Sequence, residues 1–176
     1  GSGQLVAIGS GDVVQVYRPT LDQFMTVRPR LGTIESVAFD HEGTLAIVGE
    51  AKRIQLWTLQ PAQRSSYELL GFESALGAMA FCPGHSVLAG LTEDGRILIW
   101  DIYNSPEEPT PLDDEASFDS FAFSPRGDVL ASASGSTVTL YDWRRSELVG
   151  PTIECSGLVL GMKFSPDGRS LAVGCD

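Results

Sequence analysis

Long apolar segments are missing from this sequence of 176 residues. A helix needs roughly 20 consecutive apolar residues to cross a bilayer, and the apolar runs here are far shorter. The sequence also starts at Gly1 without the charged and apolar regions of a signal peptide. We therefore expect a protein that has no membrane contact and resides in the cytoplasm or the nucleus.

Positive charge is scarce. The sequence has 12 Lys and Arg residues against 23 Asp and Glu residues, which gives a formal net charge of −11 at pH 7. Such a charge repels nucleic acid and anionic membranes and attracts basic molecules. The charge balance therefore argues against nucleic acid as a partner and favours a protein or peptide, in particular a basic one.

Cysteine and histidine are also rare. The three cysteines, Cys82, Cys155 and Cys175, lie far apart and form no Cys-x-x-Cys pair, which argues against a disulfide framework and a zinc site and favours ordinary buried thiols. The two histidines, His41 and His85, fall in equivalent predicted turns. This placement favours surface turn residues over a catalytic base beside a serine.

Motifs of catalysis and ligand binding are absent as well. The sequence has no Gly-x-Ser-x-Gly elbow. The stretch Gly9-Ser10-Gly11-Asp12 lacks the Lys and the following helix of a phosphate loop, and the pairs Asp94-Gly95 and Asp167-Gly168 lack the further oxygen ligands of a calcium loop. We predict hairpin turns at these places, and no catalytic residue, cofactor or metal.

A period of about 42 residues dominates what is present. Similar four-residue motifs end at Phe39, Phe81, Phe123 and Phe164, which are separated by 42, 42 and 41 residues. Each motif is followed by a turn that contains Pro or Gly, then by an apolar run of small residues. A segment of alternating polarity that ends in an aromatic residue comes next. The pattern predicts three strands per period, with a weaker fourth strand around Phe24–Val27, Tyr67–Leu70, Thr110–Leu112 and Pro151–Glu154.

Four antiparallel strands in about 40 residues are typical of one blade of a β-propeller. The segment Phe164-Ser165-Pro166-Asp167-Gly168, the pairs Trp100-Asp101 and Tyr141-Asp142, and the Asp94-Gly95 turn resemble the WD40-repeat family. The resemblance implies an all-β propeller of WD40 type with four-stranded antiparallel blades. About four blades' worth is present, in repeats at about 5–31 (partial), 32–73, 74–115, 116–156 and 157–176 (partial).

The repeats also depart from the family pattern. The His that in this family bonds to the turn Asp is missing from every repeat, and only the second full repeat combines Asp94 with Thr92 and Trp100. We expect the blades to depend mainly on apolar packing, with Trp57, Trp100 and Tyr141 wedged between neighbours.

The number of blades leaves three alternatives open: a fragment of a longer propeller, a half-propeller that dimerises into a ring, and a small closed ring. A second-strand pattern occurs both at Leu5–Gly9 and at Leu171–Gly174. Since both would claim one place in a simple ring, the duplication favours the fragment.

The resemblance also implies a binding face, formed by the approach to each first strand and the turn after each second strand. The residues that map to this face, here called the rim positions, are Thr33, Glu35, Glu50, Glu93, Ser117 and Asp119. Four of the six are acidic, which suits a peptide that carries Arg or Lys; the competing interpretation is ordinary surface charge.

Two other segments are candidates for binding. Residues 103–117 combine three prolines with five acids; an extended, solvated loop is the simplest interpretation, and an acidic contact for a basic partner is the sharper one. The pair Arg144-Arg145 offers an anion site or, more simply, a solvated turn.

The pattern as a whole predicts a non-catalytic scaffold for protein contacts, as part of a larger propeller or multidomain protein. One alternative is a propeller that binds a small ligand or performs catalysis in its central channel. Another is a regulatory or oligomerisation segment of a signalling NTPase.

Overall fold

The structure is a computed structural model that describes residues 5–40, 42–59, 66–113 and 115–176. In these residues the only helical element is a 3-10 turn at Pro19–Leu21. The strands are β1 (Val6–Ser10), β2 (Val13–Arg18), β3 (Gln23–Val27), β4 (Ile34–Phe39), β5 (Thr44–Gly49), β6 (Ile54–Thr58), β7 (Ser66–Leu69), β8 (Leu76–Phe81), β9 (Val87–Thr92), β10 (Ile97–Asp101), β11 (Thr110–Pro111), β12 (Ser120–Phe123), β13 (Leu130–Ser134), β14 (Thr137–Asp142), β15 (Glu147–Leu148), β16 (Ile153–Glu154), β17 (Val159–Phe164) and β18 (Leu171–Cys175).

The strands form five antiparallel sheets in chain order. The first sheet contains β1–β3, the second β4–β7, the third β8–β11, the fourth β12–β16 and the fifth β17–β18. The predicted all-β fold with four-stranded antiparallel sheets is thus confirmed. The repeat limits derived from the period stay a prediction, because a sequence repeat and a sheet need not share limits.

The outer edge of the fourth sheet differs from the single fourth strand predicted there. Two short strands, β15 and β16, pair with opposite ends of β14. Gly150, with a φ of 77°, and Pro151 lie between them. A left-handed glycine followed by a residue without an N–H group cannot continue the ladder, so the edge is split.

The turns between first and second strands close as their sequences predict. The N–H of Gly127 donates to the carbonyl of Ser124 at 2.9 Å, and the N–H of Gly168 donates to that of Ser165 at 2.9 Å. Pro at the second position and Gly at the fourth suit this four-residue turn. The second and third strands also share one register, because the recurring aromatic residue of each third strand pairs with the start of its second strand, as Tyr17 with Val6, Trp57 with Leu45, Trp100 with Leu88 and Tyr141 with Leu130.

The apolar core lies between neighbouring sheets. Val16 packs with Ile47 between the first and second sheets, and Leu56 packs with Leu88 and Trp100 between the second and third. The cores of the two remaining junctions are built in the same way. Each sheet is therefore stabilised mainly by its neighbours, as in other repeat folds.

The main chain also joins successive sheets at their inner edge. The first residue of β4, Ile34, donates its N–H to the carbonyl of Gly11 at 2.7 Å, and Val159 of β17 donates to Gly135 at 2.9 Å. Phe118, just before β12, donates to Gly95 at 2.7 Å. All three glycines have positive φ angles and lie in the turn after a second strand. We call these three bonds the junction bonds.

The aromatic residues at matching register have different environments. Trp100 is fully buried, donates its indole N–H to the carbonyl of Leu70 at 2.8 Å and meets Phe72 edge-on. Tyr141 is buried, and its hydroxyl donates to Asp113 at 3.3 Å. Burial and the Asp113 carboxylate raise the pKa of Tyr141. Trp57 is only half-buried and donates to the side chain of Gln55 at 3.2 Å.

Asp94 keeps polar partners although the histidine of the family pattern is missing. Hydrogen bonds from Thr92 and then from Ser74 lower the pKa of its carboxyl group. Ser74 lies in the approach to the first strand β8. Hydroxyl side chains thus favour the ionised form of the turn Asp in this repeat.

Candidate protein-binding rim

The six rim positions are all exposed and lie at the inner ends of the second, third and fourth sheets. Glu35 is the extra residue of a bulge in β4, where the pairing register shifts between Ile34 and Ser36. A bulge residue has no partner opposite it in the ladder, so its side chain is free to point away from the sheet. Glu50 and Glu93 directly follow β5 and β9.

Backbone hydrogen bonds hold each acid after a second strand beside the approach to the first strand. The N–H of Glu50 donates to the carbonyl of Thr33 at 3.3 Å, and the N–H of Glu93 donates to that of Ala75 at 2.8 Å. The same bond thus recurs in successive repeats. It fixes where both acids leave the backbone without using their carboxylates.

Three carboxylates of this face interact electrostatically. Partial burial, the charge of Glu93 and the charge of Glu50 together raise the pKa of Glu35. Glu50 belongs to the same sheet as Glu35, whereas Glu93 belongs to the next one. Like charges that raise a pKa are destabilising when ionised, and a cation placed among them would relieve the repulsion.

The remaining rim positions lie around the next junction. Ser117 lies so close to Gly95 that a Cβ atom added at Gly95 would collide with the Ser117 hydroxyl oxygen. Asp119 accepts a hydrogen bond from the N–H of Gly135 at 2.7 Å. Its carboxylate is thus partly used within the protein, unlike those of Glu35 and Glu93.

One acid at this face was missed from the sequence. Asp176 donates its N–H to the carbonyl of Leu158 at 3.2 Å, which repeats the Glu50 and Glu93 bonds in the fifth sheet. Counting five residues onward from Leu171, as from Leu45 to Glu50, would have found it. The position equivalent to Glu35 is Leu160, whose side chain is 73% exposed, so the character of the face changes at the fifth sheet.

The acidic loop at residues 103–117 is docked on the protein rather than simply solvated. The N–H of Leu70 donates to the carbonyl of Pro106 at 3.1 Å, Pro109 lies against Gly71, and Leu112 is fully buried. Glu107 and Glu108 are exposed. Asp114 lies outside the described residues.

The arginine pair and the histidines lie away from the rim. Arg144 stacks on Trp143 at 4.4 Å from the ring centroid and contacts Nε2 of His85 at 2.7 Å. Arg145 pairs with Asp142 and Glu147 at 3.9 Å each. His85 is half-buried against Trp143 rather than free at the surface, whereas His41 lies outside the described residues.

Two cavities lie away from the rim positions. The cavity of about 440 Å³ is lined mainly by β2 and β3, and the cavity of about 550 Å³ by β9, β10, β11 and the turn after β14; neither is lined by a rim position. Within residues 5–40, 42–59, 66–113 and 115–176, no three His, Cys, Asp or Glu side chains cluster as metal ligands would. No helix in these ranges has the length and apolarity to span a membrane.

Successive four-stranded antiparallel sheets, packed face to face and joined at their inner strands, define the blades of a β-propeller. The β-propeller domain of Cps50 (Swd1) from Myceliophthora thermophila superposes with a TM-score of 0.79 at 18% identity, over 98% of this chain and 59% of that one. At this identity the likeness shows the fold alone.

Sequence comparison agrees with the resemblance. Residues 64–101 and 115–142 match the WD domain, G-beta repeat. The chain is 25% identical over 148 residues to the Protein LST8 homolog of Drosophila melanogaster, and 33% identical over 122 residues to human Transducin beta-like protein 2. These alignments cover 78% and 61% of this chain. The matches support the WD40-repeat family, which the repeats predicted.

The chain is shorter than these relatives. It spans 47% of the length of the Drosophila protein and 26% of that of the human protein.

Proposed function

We propose that this chain is a non-catalytic platform for protein contacts and that its rim positions bind a peptide segment carrying Arg or Lys, in the cytoplasm or the nucleus. The observation that carries the proposal is the grouping of three acids on one face, where the bulge residue Glu35 lies near Glu50 and Glu93, both of which are held beside the approach to a first strand. The WD40 relatives and the net charge of −11 support a protein partner that is basic.

The cationic side chains nearest to Glu50 along the chain have partners elsewhere. Lys52 donates to the carbonyl of Glu73, and Arg53 pairs with Glu68 at 3.3 Å. The Arg53 contact lies on the outer strand β7, whereas the Lys52 contact lies in the approach to β8 and uses a backbone carbonyl. Neither contact occupies a carboxylate of Glu35, Glu50 or Glu93, so a cation from another molecule can bind these three acids.

Binding of a cation should depend on pH in a defined direction. A guanidinium or ammonium group beside Glu35 favours its ionised form and so lowers its pKa, which means that binding releases protons at pH values around the raised pKa. Affinity should then fall as pH decreases through the raised pKa of Glu35. It should also fall with added salt, since the contacts are exposed.

The direct test uses a fluorescent peptide rich in Arg and Lys and measures its affinity by anisotropy. The double variant E35Q/E93Q should weaken binding about tenfold, which corresponds to two partly exposed ion pairs. The matched control, E107Q/E108Q, removes the same charge from the docked loop and should change affinity less than about twofold. Equal losses of affinity in the two double variants would show that only net charge matters. A loss of affinity in E107Q/E108Q alone would show that the peptide binds the loop at residues 103–117.

Unfolding measurements on E35Q show whether this variant folds and test the effect of Glu35 on stability. Because the folded-state pKa of Glu35 is raised, its ionisation lowers the free energy of unfolding as pH rises through that value. E35Q should therefore be slightly more stable than the parent at pH 7, and this gain should vanish below the ordinary pKa of 4.5. Urea unfolding at both pH values measures the difference.

Exposed apolar side chains on the first sheet support a second part of the proposal. In this sheet Ile8 and Phe24 are 62% and 72% exposed. We propose that a further blade covers these side chains, supplied by more polypeptide or by a second copy. Light scattering should show a mass near twice 18.9 kDa if a second copy does so, whereas a monomer at high concentration favours more polypeptide.

A further inference from the structure

Two of the three cysteines meet in space although they are distant in sequence. Cys155 follows β16 and donates its N–H to the carbonyl of Ser136 at 2.8 Å. Cys175 ends β18, opposite Val159. Both side chains are half-buried and pack against the same apolar cluster between the fourth and fifth sheets. The expectation of three separate buried thiols therefore holds for Cys82 but not for this pair.

The main chain fixes the approach of the two cysteines. Leu158 donates its N–H to the carboxylate of Asp176 at 2.7 Å, and Asp176 donates its own N–H back to the carbonyl of Leu158 at 3.2 Å. Gly157 lies directly against Asp176, so closely that a Cβ atom would not fit. Gly157 and Leu158, which follow Cys155, are thus held against Asp176, which follows Cys175. Val159 joins this frame to the fourth sheet through its junction bond to Gly135.

The second thiol also affects the first. Partial burial, the Cys175 thiol and the nearby charge of Glu154 raise the pKa of Cys155. Oxidation of the pair should accelerate as pH rises, because the thiolate is the nucleophile.

Cys82 provides an internal reference. It is buried, its Sγ contacts the carbonyl of Gly127 at 3.4 Å, and burial raises its pKa to about 12. A thiol of this kind is inert toward oxidants in the folded protein. Cys82 is thus expected to stay unreactive under conditions in which Cys155 and Cys175 are oxidised.

We propose that Cys155 and Cys175 are a modification site at which a low-molecular-weight disulfide such as glutathione disulfide closes a reversible intramolecular disulfide bond. One cysteine thiolate attacks the glutathione disulfide and displaces the first glutathione thiolate. The second cysteine thiolate attacks the mixed disulfide and displaces the second. The protein loses two electrons and two protons, and one glutathione disulfide becomes two glutathione molecules.

The bond would tie the loop after β16 to the end of β18. It would close the stretch from Cys155 to Cys175, which contains the whole β17–β18 hairpin, and would fasten the fifth sheet to the fourth. Because Asp176 adjoins Cys175, the bond would also hold this acid at the rim. Oxidation should therefore slow local opening at Leu158 and Val159.

The test exposes the purified protein to glutathione disulfide, quenches it with acid, alkylates it after unfolding and maps the peptides by mass spectrometry. We expect a product lighter by two hydrogen atoms in which Cys155 and Cys175 are linked and Cys82 is alkylated. Either C155S or C175S should abolish this product, whereas C82S should leave it unchanged. The rate should rise several-fold between pH 7 and pH 8.5.

Three outcomes would overturn the proposal: no oxidation, stable mixed disulfides with glutathione that do not close, or a bond that includes Cys82. Peptide mapping of the unsubstituted protein distinguishes these outcomes even if a serine variant fails to fold. Hydrogen exchange supplies a second readout. Amides of Leu158 and Val159 should exchange several-fold more slowly after oxidation and recover with reductant, and unchanged exchange would refute the proposed tie between the sheets.

Discussion

Replacement of Trp100 by phenylalanine tests how much the fold depends on the one fully buried indole of the recurring aromatic residues. Trp100 fills the space between the second and third sheets and donates to the carbonyl of Leu70 at 2.8 Å. W100F keeps an aromatic ring but removes the indole N–H and part of the packing volume. The variant therefore separates the hydrogen bond and the close fit from aromatic character.

The expected loss is a sum of two effects. Leu70 is itself exposed, so its carbonyl can bond to water in the variant, and the lost hydrogen bond costs about 0.5–1.5 kcal/mol. The smaller ring also leaves unfilled volume beside Phe72 and Gly90, which costs about 1 kcal/mol more. The free energy of unfolding should fall by about 1.5–2.5 kcal/mol in W100F.

The matched control is W57F. Trp57 lies at the same register in the second sheet, but it is half-buried and its N–H bonds to a side chain, that of Gln55. This partner can turn to water, so W57F should cost less than about 1 kcal/mol. Urea unfolding followed by far-UV circular dichroism measures both variants, since each removes a fluorophore. Equal losses would show that register, and not burial, determines the role of the aromatic residue.

Two further predictions concern turns. G95A places a Cβ at a φ of 84° against Ser117 and should cost about 2–3 kcal/mol in urea unfolding, whereas G135A, at a φ of 57° with open space around it, should cost about 1 kcal/mol; a reversed order would contradict the steric argument. S124A removes the buried hydroxyl that donates to Asp128 at 2.7 Å and that chiefly lowers its pKa. Because the folded-state pKa of Asp128 is lowered, its ionisation stabilises the folded protein above the ordinary value of 3.8, and this stabilisation is lost as pH falls through the folded-state pKa. S124A should therefore be about 1 kcal/mol less stable than the parent at pH 7, with a smaller difference below pH 4. An unchanged pH profile would exclude this role of Ser124.

The period, the strand order and the turns could be predicted because they are local. A Pro or Gly after each Phe, and a Gly with positive φ after most second strands, fix the backbone over a few residues. These signals recur at a constant spacing, so each supports the others. The propeller blades then follow, since such sheets can bury their faces only against one another.

What could not be predicted depends on register and on long-range contacts. The docking of the acidic loop requires Leu112 to be buried and Pro106 to meet Leu70, and neither is visible in a Pro- and acid-rich composition. The meeting of Cys155 with Cys175 depends on the pairing of β17 with β18 and on the segment before it. Sequence distance gave the opposite expectation for these thiols.

The interaction among the rim carboxylates was only half visible. Their recurrence at matching positions followed from the family resemblance, but the charge interaction between neighbouring sheets depends on the bulge that frees Glu35. Asp176 was missed because the register was not counted into the last strand. The sequence therefore indicated which face to consider, and the sheet geometry identified the acids that act together.

The junction bonds have a consequence for how such a fold can change. Each of them joins two main-chain groups, so this part of the contact between neighbouring sheets does not depend on any particular side chain. The exposed residues beside them can therefore be exchanged during evolution or by an engineer at little cost to the shape. A chain that shares only 18% of its residues with another propeller can thus keep the same curvature and present a different set of charges on it.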